Sequence, residues 1–97
     1  MASYSLVFPK DFDEHESEVT AKGWFGNARL ISSGRQYRLI FYDPVRLGQT
    51  IEDDLQSECV FFEPNLIIVR SVTRSDMEKA VEFLVGSGQT SSLVPEQ

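Results

Sequence analysis

The sequence holds one cysteine and one histidine in 97 residues. One thiol closes no internal disulfide, and small secreted domains usually carry several, so a disulfide scaffold is excluded. Structural zinc sites take four ligands drawn mainly from Cys and His, and that excludes a zinc module as well. A thiol–imidazole dyad would have to use both Cys59 and His15. Cys59 opens an apolar run, where a free cysteine is expected as a small buried hydrophobe, and His15 lies between acids in a polar stretch. Long hydrophobic runs are missing too: none exceeds the length of Cys59–Phe62 or Leu66–Val69, far below the ~20 residues that span a bilayer. Met1–Ser5 has no basic residue and the apolar Leu6-Val7-Phe8 stops at Pro9, so no signal-peptide pattern is present. These absences predict a soluble cytoplasmic chain with no membrane partner. No Gly-rich phosphate loop, nucleophile elbow or dinucleotide fingerprint occurs. Hence no cofactor, metal or catalytic residue is expected.

Basic residues are also scarce, with nine Lys+Arg against fifteen Asp+Glu and a net charge of -6. A general nucleic-acid coat or an anionic-membrane binder needs a positive field, so both are disfavoured. The acids Asp11, Asp13, Glu14, Glu16 and Glu18, with His15, superficially resemble a cation loop. The EF-hand pattern fails there, because Glu16 stands where the loop needs Gly and Lys22 where it needs Glu. Fifteen carboxylates leave an acid/base enzyme open as a third reading, with no motif in its favour.

The chain is 41% hydrophobic and 25% charged, a balance that supports one core and one domain. Tyr4–Phe8 alternates like a strand and ends at Pro9. Lys10–Glu18 reads as an acidic connection, Val19–Ser32 as a strand, Ser33-Gly34 as a two-residue turn and Arg35–Tyr42 as the paired strand. Asp43-Pro44 opens a helix with Asp as N-cap and Pro at the first helical position, and its core stripe is Leu47, Ile51 and Leu55. Cys59–Phe62 and Leu66–Arg70 flank Glu63-Pro64-Asn65 as a second hairpin. Thr73 caps the last helix, Asp76 takes the capping-box position, Val72 and Met77 form the staple, and Gly86 marks the stop. The predicted fold is a single α+β domain over residues 1–86 in β-ββα-ββα order. Its antiparallel sheet carries two helices on one face, and residues 87–97 form a flexible tail.

A two-residue turn at Ser33-Gly34 pairs Leu30 with Tyr37, Ala28 with Leu39 and Gly26 with Phe41, an apolar row that must face the core. Phe41 would then cover the bare backbone of Gly26. The opposite face pairs Ile31 with Gln36, Arg29 with Arg38, Asn27 with Ile40 and Phe25 with Tyr42. Two arginines opposite each other call for an anion between them, either an internal carboxylate, for instance from Asp11–Glu18, or a ligand. Charge is segregated in the same sense: residues 23–50 carry four Arg and one Asp, a local +3, between acidic flanks.

The stretch Phe41-Tyr42-Asp43-Pro44-Val45-Arg46-Leu47, with Phe61-Phe62-Glu63-Pro64-Asn65-Leu66 and Val72-Thr73-Arg74, resembles a small family of uncharacterised bacterial α+β domains. The resemblance spans about the middle half of the chain. It implies a bacterial cytoplasmic protein and no catalytic or binding residue.

The function expected from these residues is a non-enzymatic protein-interaction module. It would associate with itself or a protein partner through Phe25, Arg29, Arg38, Ile40 and Tyr42, a mixture that interface cores favour. The alternative is a binder of a small anionic ligand or nucleic acid through Arg29 and Arg38, with nucleic acid the weaker candidate.

Overall fold

The computed structural model describes residues 3–96. In chain order the elements are β1 (Tyr4–Val7), α1 (Phe12–Lys22), β2 (Trp24–Ser32), β3 (Arg35–Tyr42), α2 (Pro44–Ser57), β4 (Leu66–Ile68) and α3 (Arg74–Gly86), then a single 3-10 turn at Gln89–Ser92. The strands form one sheet in the order β1-β2-β3-β4, with the first two pairings antiparallel and β3–β4 parallel. The α+β class therefore stands. The fully antiparallel sheet, the two-helix count and the β-ββα-ββα order do not.

Two segments account for these corrections. Lys10–Glu18 is no connection: Phe12–Lys22 is helical, with Asp13 and Glu14 in the first turn, Lys22 in the last and Gly23 as a left-handed C-cap. Both charge placements complement the helix dipole. Cys59–Phe62 is not a strand, and Cys59 is exposed. β4 takes the outer edge of β3 in the parallel sense, which a tight hairpin cannot supply, so α2 makes the crossover.

The first hairpin turns as the dipeptide predicts, with Ser33 and Gly34 both at positive φ, 53° and 75°. This is the backbone of a type I′ turn, whose twist matches that of the strands. Both predicted N-caps are formed. The Asp43 carboxylate accepts from the Arg46 amide at 2.7 Å, and the Thr73 hydroxyl accepts from the Asp76 amide at 3.1 Å.

The core lies between one sheet face and the pair α1 and α3. Leu30, Leu39 and Phe41 from the sheet meet Met77 and Val81 from α3 and Phe12 from α1, with Val72 closing the layer. Each such side chain contributes about 1.5–3 kcal/mol on burial. α2 buries no residue: Leu47 and Ile51 are only half-buried and Leu55 is exposed. Its stripe is therefore not the core stripe that its spacing suggests.

Polar contacts lock α1 to the start of α3. The Thr20 hydroxyl donates to the Val72 carbonyl at 2.7 Å, and Glu16 accepts from the Arg74 amide at 2.7 Å. The Arg74 guanidinium donates to Asp13 at 2.9 Å and lies 4.3 Å over the Phe8 ring. Asp13 and Glu16 are thus engaged with Arg74, and Asp11 and Glu18 lie beside His15.

Gly23 sits where the α1–β2 and β3–α2 junctions meet. Its carbonyl accepts from the Asp43 amide at 2.9 Å, and its φ is 72°. A Cβ there would strike the Asp43 carboxylate and stand 2.9 Å from the Arg46 Cβ. Left-handed strain of about 1–2 kcal/mol and overpacking of about 1–3 kcal/mol should together make Gly23→Ala lose about 2–5 kcal/mol in urea denaturation. A loss under about 1 kcal/mol would contradict this packing.

Candidate functional site

The second face of the sheet, away from α1 and α3, begins with a fault in β2. Trp24 and Phe25 pair with Tyr42 and Phe41, whereas Ala28 pairs with Leu39, so two residues, Gly26 and Asn27, stand opposite Ile40 alone. This is a β-bulge, and it reverses the side to which the residues before it point. Phe25 is carried into the core at 7% exposure, with its ring 4.9 Å from Phe12. Trp24 moves to the second face instead. Its ring and Ile40 Cδ1 lie where a Cβ on Gly26 would be. The expected cover of Gly26 by Phe41 is therefore corrected to cover by Trp24 from the opposite side.

The other expected residues divide. Arg29 and Arg38 are directly opposite, as the turn predicts. They do not share an anion. Arg38 Nε donates to the Gly26 carbonyl at 2.8 Å, within the bulge, where the regular ladder is interrupted. Arg29 Nη1 reaches the Glu96 carboxylate at 2.8 Å. The internal anion is thus Glu96, not a carboxylate of residues 11–18. Ile40 is half-buried on the face, but Tyr42 is only 4% exposed, edge-on to Phe61 at 6.5 Å. Burial pushes the Tyr42 phenol above its ordinary pKa. The Glu63 charge adds to the rise, while a hydrogen bond with Thr50 and the Arg46 charge oppose it.

Trp24, Arg38 and Ile40 floor a groove of about 420 Å³ walled by Glu63-Pro64-Asn65 and Val94-Pro95-Glu96. Asn65 joins the two walls. It has a left-handed φ of 59°, which Asn tolerates better than most side chains. Its Nδ2 donates to the Arg38 carbonyl at 3.0 Å and the Val94 carbonyl at 2.8 Å, and its Oδ1 accepts from the Val94 amide at 2.7 Å. Further along β3 the Glu96 amide donates to the Gln36 carbonyl at 2.7 Å. With Val94 anchored beside Arg38 and Glu96 beside Gln36, residues 94–96 run antiparallel to β3 along the edge that β4 leaves unpaired. Residues 87–97 were expected as a flexible tail; residues 94–96 make these contacts with the domain.

Magnitudes show how firmly that segment is held. Three neutral hydrogen bonds contribute about 0.5–1.5 kcal/mol each, and the solvent-exposed Arg29–Glu96 pair about 1 kcal/mol at most. Ordering three residues costs about 1–2 kcal/mol apiece. The two sides cancel to within a few kcal/mol.

Other candidate chemistry does not assemble. His15 lies 3.4 Å from Asp11 and 3.8 Å from Glu18 on α1, whereas Cys59 is in the loop after α2. Among the described residues no group of three or more His, Cys, Asp or Glu side chains is arranged to hold a metal ion, and no helix is long and apolar enough to cross a membrane. Sequence reasoning missed Trp24, Asn65 and Glu96. The strand glycine at 26 was the available signal for the first, and nothing local marks the other two. No protein-family model matches this chain, and neither does a curated protein or a solved structure.

Two measurements check this geometry. Asn65→Gly keeps the backbone conformation and removes the clamp, so the Val94 and Glu96 amides should exchange hydrogen at least 5-fold faster while α3 is unchanged; equal rates would contradict the clamp. Because the folded Tyr42 pKa is raised, its contribution is full below the unfolded value near 10. It is lost as pH climbs through the folded pKa. Stability should therefore fall above pH ~10, and Tyr42→Phe should flatten that fall. An unchanged alkaline slope would contradict it.

Proposed function

We propose that this chain is a non-enzymatic protein-interaction module, and that its binding surface is the sheet face away from α1 and α3, around Trp24, Arg38 and Ile40. The observation that carries this reading is the groove itself: an apolar floor with an arginine beside it, next to a strand edge that holds a segment of polypeptide. Rigid aromatic and arginine side chains at a partly desolvated centre are what interface hot spots are made of. The occupant that fits is an extended polypeptide laid beside β3, because the edge offers main-chain hydrogen bonds with side-chain contacts on one side.

Of the five residues expected from the sequence, Arg29, Arg38 and Ile40 remain in this proposal. Phe25 and Tyr42 leave it because both are buried, and Trp24 takes the aromatic role. Capture of a small anion or nucleic acid by the two arginines is the weaker reading, since Arg29 is engaged with Glu96 and Arg38 with the Gly26 carbonyl. The overall charge of -6 points the same way.

Selection of a random dodecapeptide display library against the chain tests the proposal. Enriched peptides should bind the wild type at least 10-fold more tightly than a folded Trp24→Ser/Ile40→Ser variant. No enrichment, or equal binding to both, would overturn it.

A further inference from the structure

Residues 94–96, one wall of the groove, show what chemistry the β3 edge beside it accepts. Their backbone, and not their side chains, is read at Val94, where the Asn65 amide pairs with both the N–H and the C=O. The Val94 side chain itself is mostly exposed. Pro95 lacks an N–H, and it falls between the two anchor points, where the segment donates nothing to β3. Glu96 is read twice, by the Gln36 carbonyl at its amide and by Arg29 at its carboxylate. The required features are an extended backbone and an acid two residues after the clamped position. The surrounding +3 of residues 23–50 favours the same sign of charge.

We propose that the outer edge of β3 at Gln36 and Arg38 is a receptor for an extended acidic segment of a partner protein, and that residues 94–96 are its intramolecular occupant, displaced when the partner binds. This rests on the reading of the chain as an interaction module and specifies the partner for the β3 edge beside the groove. The partner segment adds to the sheet by β-augmentation, places its carboxylate on Arg29 and takes over the Asn65 clamp. The chain's own segment is held by contacts that nearly balance its ordering cost, so it competes without closing the site permanently.

The test uses a chain ended after Leu93, which keeps that half-buried side chain in its place against the core. It is titrated with a peptide of residues 89–97 and with the same peptide carrying Glu96→Gln, followed by the amide resonances of Gln36, Arg38 and Asn65. The acidic peptide should shift these amides saturably. It should bind at least 5-fold more tightly than the Gln form, and at least 10-fold more tightly to the shortened chain than to the intact one. Arg29→Ala in the shortened chain should erase the preference for the acid. A full-length Glu96→Lys variant, which loosens the segment on the β3 edge without truncation, should also gain affinity for the acidic peptide over wild type. That variant guards against a shortened chain that fails to fold.

Equal affinity for the Glu and Gln peptides would overturn the acidic specificity. Equal affinity of intact and shortened chains would overturn the role of residues 94–96, and absence of saturable shifts in both opened variants would overturn the receptor. None of these results removes the module reading if the dodecapeptide selection still yields ligands that depend on Trp24 and Ile40. A failed selection removes that reading as well.

Discussion

The second face of this protein depends on one extra residue in β2. With Gly26 and Asn27 together opposite Ile40, the strand changes sides. Phe25 enters the core beside Phe12 and Phe8, and Trp24 turns outward over Gly26. Without the bulge, period-two alternation would put Phe25 among the arginines and Trp24 in the core row. The bulge also opens the ladder at the Gly26 carbonyl. Arg38 answers it, and this explains why an arginine directly opposite Arg29 is tolerated: the two guanidiniums serve acceptors in different places. One local irregularity therefore sets the aromatic content of the face and the employment of one of its two charges.

The edge of β3 is the second constraint. β4 pairs only with Ile40–Tyr42, so the stretch at Gln36 and Arg38 would be an open edge. Open edges are liabilities that proteins manage by covering or charging them. Here the cover is another piece of the same chain, held by the Asn65 side chain, the Gln36 carbonyl and an exposed ion pair. Such contacts cover the edge without fixing it permanently, because their sum nearly balances the entropy they must overcome. On the proposed reading, protection and binding are two uses of one edge.

Much of this was legible from the residues. Ser33-Gly34 set the turn and the pairing from Ala28 to Ser32, and both N-caps were visible as side chains with an acceptor oxygen before an amphipathic run. α1 was hidden because its apolar stripe is thin. Phe12 is its only buried residue, and five carboxylates between positions 11 and 18 look like a solvated loop. The bulge was hidden because alternation reads straight through a strand glycine, although glycine inside a strand is itself a sign of a bulge. The run at Cys59–Phe62 imitates a strand but belongs to the helical crossover that a parallel β3–β4 pair requires. Glu96 and Asn65 were beyond reach for another reason: their partners are 67 and 29 residues away in sequence, and no local pattern encodes such pairings.

The most direct measurement is a set of through-space proton contacts between aromatic rings in solution, because it reads the side change in β2 without any variant. The bulge requires contacts from the Phe25 ring to Phe12 and from the Trp24 indole to the Ile40 methyl groups, with none from Trp24 to Phe12. Contacts from Trp24 to Phe12, with Phe25 instead beside Ile40, would contradict the account. They would show an unbroken strand, with the face lying elsewhere than described.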